Sequence, residues 1–408
     1  MAHQFDVVII GAGPSGSVAA SLLHQRGVKV LMLEKLEFPR FIIGESLLPQ
    51  SMEFLQKAGL LQTVVEHGFQ FKNGAAFRRA ETTSSIDFRQ KFGDGWGTTY
   101  QVQRAPFDAC LAQKVKDMGV DVRFNHEVLD VDLSGEGAQL RIKDDQGAEQ
   151  DITCTFVLDA SGYGRVLPRL LDLERPSSFP VRNALFTHMK DRLCVKDFDR
   201  NKILITVHPD HQDIWYWLIP FSNGTSSVGV VVRPDVLDTY EGDNSQKLWT
   251  LLREAKELGT LLDDAEELRP VGQLSGYSCD VSTLCSDKFA LLGNAGEFLD
   301  PVFSSGVTIA LKSADLVVDP LVRQLNGETV DWQADYADPL KVGVSCFKAF
   351  VESWYEGSLQ KIIFNPPKGE NNIRDMIIAI LAGYAWNEDN PFVKQPNKYL
   401  EMVAAQCP

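Results

Sequence analysis

The amino-acid sequence predicts an α/β protein, α+β overall: a dinucleotide-binding domain, interrupted by an antiparallel sheet and closed by a helical segment. Three observations carry that prediction. The chain opens on an apolar run that ends in a glycine turn, and two more strand-to-turn corners follow far downstream. Strand-like runs fill the intervals between them. The 408 residues suit two or three domains of ~150 residues each.

The first element is Phe5–Ile10, nearly all apolar, as a parallel strand buried on both faces must be. It runs into Gly11-Ala12-Gly13-Pro14-Ser15-Gly16. Ser17–Gln25 then carries Val18, Ala19, Leu22 and Leu23 at helical spacing until Gly27 stops the helix. A second strand, Val28–Leu33, delivers Glu34 at its end. Gly11 permits the tight turn, Gly13 lets a pyrophosphate approach the backbone, and Gly16 lets helix pack on strand. The helix N-terminus offers unpaired N–H groups and a positive dipole end to phosphates. Glu34 lies 18 residues past Gly16, where an acid accepts hydrogen bonds from ribose hydroxyls. A glycine turn alone is a weak signal; here strand, turn, helix, strand and acid all fall in register.

The second corner is the strand Phe156–Leu158, ending in Asp159-Ala160-Ser161-Gly162. The third is Phe289–Leu292, which runs into Gly293-Asn294 and Asp300-Pro301 before a helix over Val307–Leu316. Three corners over roughly 300 residues suit a long cofactor gripped along its length, since a single mononucleotide fold finishes in about half that span. Residues 76–103 and 180–275 contain runs such as Ile203–Val207 and Ser226–Val232, which predict an antiparallel sheet bordering the cofactor. Beyond residue 330, Phe347, Phe350, Val351, Trp354 and Tyr355 stand at helical spacing before a break at Pro366-Pro367-Lys368-Gly369. Met376–Trp386 is apolar nearly all round and reads as a buried helix rather than a lid. The domains expected are therefore a discontinuous cofactor domain (1–75, 104–179 and 276–330), a sheet domain (76–103 and 180–275) and a helical region (331–408).

Composition narrows the partners. Lys plus Arg number 40 and Asp plus Glu 55, a formal net charge of −15. That balance opposes nucleic-acid binding and adhesion to an anionic membrane. No apolar run reaches the ~18 residues of a membrane span, and the N-terminus leaves no room for a signal peptide, so a cytoplasmic protein is expected. Seven scattered cysteines without CxxC read as reduced thiols, with neither disulfides nor a zinc site. His208-Pro209-Asp210-His211-Gln212-Asp213 reads as a solvated loop, not a metal site.

Together these motifs resemble the flavoprotein group of the aromatic hydroxylases, geranylgeranyl reductases and flavin-dependent halogenases, from residue 5 to about residue 330. The resemblance implies a Rossmann-like FAD-binding domain of the aromatic-hydroxylase type. Gly11, Gly13 and Gly16 would bind the ADP part of FAD and Glu34 its ribose. The Arg40–Ser46 segment, of the pattern Arg-x-x-x-Gly-Glu-Ser, would lie along the cofactor. Arg104 would contact the flavin, Asp159 and Gly293-Asn294 the ribityl and pyrophosphate part, and the loop from Pro301 to Gly306 the isoalloxazine. Where the group usually has Gly-Asp, this chain has Gly293-Asn294; asparagine still accepts a hydrogen bond, through a neutral amide.

Three features point within that group to the halogenase branch that takes phenols and pyrroles. Trp215-Tyr216-Trp217-Leu218-Ile219-Pro220 matches WxWxIP, Asp300-Pro301-Val302-Phe303-Ser304-Ser305-Gly306 is close to its flavin loop, and Lys72 stands where halogenases carry a lysine. The resemblance implies that reduced FAD, O2 and chloride or bromide give hypohalous acid, which Lys72 presents to an electron-rich aromatic. Lys72 and Ser304 would be the catalytic side chains. Trp215 and Trp217, with Phe303, would keep substrate off the flavin; equally, the two tryptophans are core residues of a buried strand. Phe303 stands where tryptophan-type halogenases have a glutamate, which favours a phenol, pyrrole or similar ring. A single GxGxxG with an acid partner implies that a separate flavin reductase supplies reduced FAD. A charge of −15 favours a free small molecule over one tethered to an acidic carrier. The alternatives are an FAD-dependent monooxygenase and a polyprenyl-type reductase.

Overall fold

The computed structural model describes residues 3–193, 198–366 and 372–408. Cys194 and most of the expected break at Pro366–Gly369 lie outside them.

Strand Phe5–Ile10 sits inside a seven-stranded sheet, parallel to Val30–Leu33 on one side and to the end of Glu149–Asp159 on the other. Phe289–Leu291 adds a further parallel strand beside Val157–Asp159. All three expected corners therefore end at the same edge of one sheet, where ligands bind in open α/β folds. The helix begins at Pro14, three residues before the expected start, because proline at the first helical position loses no hydrogen bond. The helix after the third corner is also longer than expected, Ser305–Leu325, and accommodates Pro320.

The second sheet has eight strands, among them Gly74–Arg79, Asn183–Lys190, Lys202–Val207, Trp215–Pro220 and Thr225–Val232. It departs from the expected antiparallel form at one pair, because Gly74–Arg79 runs parallel to Lys202–Val207. These strands come from distant parts of the chain, so no hairpin turn dictates their direction. Thr99–Gln101, expected in this sheet, instead pairs with Gln70–Lys72 as a separate ribbon.

Helix Ser358–Phe364 packs against strand Thr82–Asp87 of the second sheet, and Asp338–Glu356 against helix Ser305–Leu325 of the first half. Ile373–Leu381 follows them. One continuous core joins Val18 and Phe156 of the dinucleotide half, Phe77, Ile205 and Trp217 of the second sheet, and Phe347, Trp354 and Ile378 of the helices. The other face of the second sheet, with Tyr216, Leu218 and Val230, packs on helix Asn244–Glu254 in a core of its own. Met376–Leu381 belongs to a helix that ends at Leu381, and residues 377–385 are buried.

Candidate active site

Between the two sheets lies a cleft of about 1210 Å³. One end is formed by Gly13, Pro14 and Ser15 and the other by Pro301, Ser304, Gly306 and Val307. At the first end, helix Pro14–Gln25 starts without a side-chain cap, which leaves its N–H groups free for an anion. Gly13 faces the opening: a β-carbon there would meet only the Arg40 guanidinium, at 3.7 Å. Gly11 and Gly16 stand behind it for packing reasons. A β-carbon on Gly16 would lie 2.0 Å from the Gly11 carbonyl oxygen, and Gly11 itself holds φ at +100° against Ala160.

Glu34 is buried and accepts N–H bonds from Ala12 and Leu36, both at 3.0 Å, so its carboxylate keeps lone pairs for a ribose. Arg40 and Arg104 line the cleft and share Asp108, which takes one bond from Arg40 at 3.1 Å and a bidentate pair from Arg104. Arg104 also donates to the Ile43 carbonyl and so pins the Gly-Glu-Ser segment. Asn294 lines the cleft, while Gly293 lies beneath with φ at +54° against Ala310. Asp159 is also behind the wall. Its two oxygens accept the Ser161 and Leu167 N–H groups, and it thereby shapes the Ala160–Tyr163 stretch that does line the cleft. Uncapped helix, open glycine backbone, buried acid and paired arginines fit a long dinucleotide cofactor.

Lys72 is the last residue of strand Gln70–Lys72, not a solvated loop residue, and is 1% exposed. Its ammonium donates to Ser46 Oγ at 2.7 Å and to the Leu47 carbonyl at 2.8 Å, with the Phe88 ring at 5.3 Å. Burial lowers its pKa to about 7. Lys72 lines a second chamber of about 260 Å³ whose walls are apolar apart from Lys72 and Ser304, including Phe77, Phe88, Ile205, Phe303 and Leu381. Ser304 and Ile203 line both spaces and form the partition between them. Ser304 holds φ at +58°, a strained conformation of a kind that clusters at functional sites.

Of the two tryptophan expectations, the structure bears on the one that makes them core residues of a buried strand. Trp215 and Trp217 are buried, and both line the cleft from one face of their strand. Trp217 donates to Ser227 Oγ; Trp215 donates to the Tyr355 hydroxyl at 2.9 Å. Tyr355 in turn donates to Asp300 at 2.8 Å, beside a bond from Tyr277. Burial raises the Asp300 carboxyl to about 6. Phe303 does not face the cleft but walls the Lys72 chamber, edge-on to Trp354.

Sequence reasoning passed over two features. Leu381 reaches the chamber from the C-terminal helices, and Glu45 of the Gly-Glu-Ser segment lines the cleft paired with His188 at 2.7 Å. Among the described residues no three His, Cys, Asp or Glu side chains are grouped to hold a metal ion.

This cleft belongs to an FAD-binding protein. A family model described as "FAD binding domain" matches residues 4–339, and the chain belongs to that family, with FAD as its cofactor. Over 99% of its length the chain is 27% identical to the 1H-pyrrole-2-carbonyl-(peptidyl-carrier protein) chlorinase of Pseudomonas fluorescens, of which it covers 94%. Among solved structures it is similar to a flavoprotein/dehydrogenase from Cytophaga hutchinsonii, at 41% identity and a TM-score of 0.94 over 98% of both chains. It is also similar to a flavin-dependent brominase, Bmp2, at 25% identity and a TM-score of 0.82, over 98% of this chain and 99% of that one. The fold expected from the sequence is the fold of these proteins.

Proposed function

We propose that the protein is a flavin-dependent halogenase that acts on a small electron-rich aromatic. The observation that carries this reading is the largely apolar chamber around Lys72, which adjoins the FAD cleft at Ser304 and Ile203. A hydroxylase needs its substrate beside the flavin. Here Trp215 and Trp217 fill that side of the cleft, and the reactive amine lies beyond a partition.

Gly13, Ser46, Arg40, Arg104, Asn294, Pro301 and Gly306 would hold FAD along the cleft, with Gly11, Gly16, Glu34, Asp159 and Gly293 shaping the wall behind them. When bound in its reduced form, FAD supplies the reducing power with which O2 converts chloride or bromide to hypohalous acid. Lys72 would receive that acid in the chamber. As an ammonium it polarises the oxygen; as a free amine, populated near pH 7, it is a nucleophile for the halogen. Phe77, Phe88 and Phe303 would hold a ring against it. The relatives' pyrrole and halogenase names fit such a ring. The protein would work in the cytoplasm with reduced FAD from a separate flavin reductase.

Incubation with FAD, a flavin reductase, NADH, bromide and a panel of phenols, indoles and pyrroles, free or carrier-loaded, tests the reading by mass spectrometry. Brominated product is expected, and Lys72→Ala should lower its yield by about 100-fold or more. Hydroxylated product alone, or product without halide, would overturn it.

A further inference from the structure

Oxidising a halide in the FAD cleft has a proton balance. O2 takes two electrons from reduced FAD and two from the halide. Neutral reduced FAD, O2, halide and one proton therefore give oxidised FAD, one hypohalous acid and one water. A proton must enter for every turnover, so the cleft needs an acid with a route to solvent.

Among the described residues lining the cleft, Glu45 is the one carboxylate. The other titratable groups there are unsuited to give up a proton. Arg40 and Arg104 stay charged, and burial pushes the Tyr163 and Tyr277 phenols well above their ordinary range. Glu45 is 2% exposed and its Oε1 lies 2.7 Å from His188 Nε2. His188 comes from the opposite wall, on strand Asn183–Lys190, and its side chain is 15% exposed. Its ring lies between Phe41 and Phe221, each at 5.3 Å. Phe41 is exposed and carries the Arg269 guanidinium 3.1 Å above its ring. A hydrogen-bonded pair thus runs from the cleft to a half-buried imidazole near the surface. Besides His188, the charged groups facing Glu45 are Arg104 and Arg269.

We propose that Glu45 and His188 form the proton relay of the FAD cleft. Glu45 gives its proton to oxygen as hypohalous acid and water form, and His188 returns one from solvent. The need for a net proton rests on the halogenase reading; the geometry of the pair does not.

The test compares wild type with Glu45→Gln, Glu45→Asp and His188→Gln, each loaded with chemically reduced FAD and mixed with O2 and bromide. Hypohalous acid, caught by a small amine, is counted per FAD oxidised across pH 5.5–9, the range over which an imidazole titrates. Glu45→Gln should lower that coupling by about 100-fold, with hydrogen peroxide in its place, and Glu45→Asp should recover part of it. His188→Gln should lower the coupling in the same direction, because it cuts the hydrogen-bonded path between solvent and Glu45. FAD affinity, read by titration of the unloaded protein, should stay within about twofold in His188→Gln, because His188 is not among the residues that line the cleft. If both variants keep wild-type coupling and pH profile, the relay is wrong. If wild type makes no hypohalous acid, the halogenase reading fails instead. The relay is then read from the solvent deuterium isotope effect on reoxidation by O2, which Glu45→Gln should abolish and an intact effect would refute.

Discussion

Lys72 shows how much one side chain can be made to carry by burial. A lysine in this position gives up bulk water for one hydroxyl and one carbonyl, at 2.7 and 2.8 Å, and burial lowers its pKa to about 7. The unfolded chain holds that proton up to the ordinary lysine pKa of about 10.4. Between those values the unfolded state binds more protons, so stability contributed by this group rises with pH, from about pH 7 to about pH 10. The span corresponds to about 4 kcal/mol. Lys72→Met should therefore flatten the rise in unfolding free energy between pH 7 and pH 10, read by urea denaturation of the protein without FAD. Equal slopes in wild type and variant would mean that Lys72 is charged in its chamber at neutral pH, and that it acts on hypohalous acid only as a hydrogen-bond donor. The residue type and its place after the Gly-Glu-Ser segment were visible in the sequence. Its burial was not, because that depends on Ser46, Phe88 and Leu381, which the fold gathers from three separate segments.

At the scale of elements, the walls of the cleft are held in register by one carboxylate. Asp300 accepts the Val302 N–H and so caps the short turn that presents Ser304; it also receives the Tyr355 hydroxyl from helix Asp338–Glu356. Tyr355 accepts the Trp215 indole from its strand. Loop, helix and strand meet at that hydroxyl. Burial raises the Asp300 carboxyl to about 6, so its contribution to stability falls as pH rises from about 4 to about 6, and the Tyr355 bond offsets part of that loss by favouring the charged form. Tyr355→Phe should then cost about 1–3 kcal/mol, with a larger loss at pH 7.5 than at pH 5 and a change in tryptophan fluorescence. An equal loss at both pH values would show that the hydroxyl serves Trp215 alone. The motif ends of this chain, Asp300-Pro301 and Trp215–Pro220, are local patterns and could be read directly. Their junction could not, since Tyr355 reads only as one aromatic in a helical stripe. The parallel pairing of Gly74–Arg79 with Lys202–Val207 was hidden for the same reason, as each strand reads the same in either direction.

The whole molecule bears on how reducing equivalents would reach the cleft. A continuous core runs from Val18 through Trp217 to Trp354, so the FAD half, the inner face of the second sheet and the C-terminal helices stabilise one another. The sequence has one strand–glycine turn–helix–strand–acid unit, and its phosphate-binding helix end opens into the FAD cleft. Ser304 and Ile203 stand where the cleft adjoins the Lys72 chamber, and Trp215 and Trp217 line the cleft. Reducing equivalents should therefore arrive as reduced FAD from solution. Chemically reduced FAD with O2 and bromide should support product formation without any nicotinamide, and a flavin reductase from an unrelated source should do as well as any other. NADH with oxidised FAD and no reductase should yield NADH oxidation no faster than the protein-free background, followed at 340 nm absorbance as roughly a hundredfold below the coupled rate. Direct NADH oxidation at the rate of bromination would show that the cleft admits nicotinamide beside the flavin, and the tryptophan wall would then have to open during turnover.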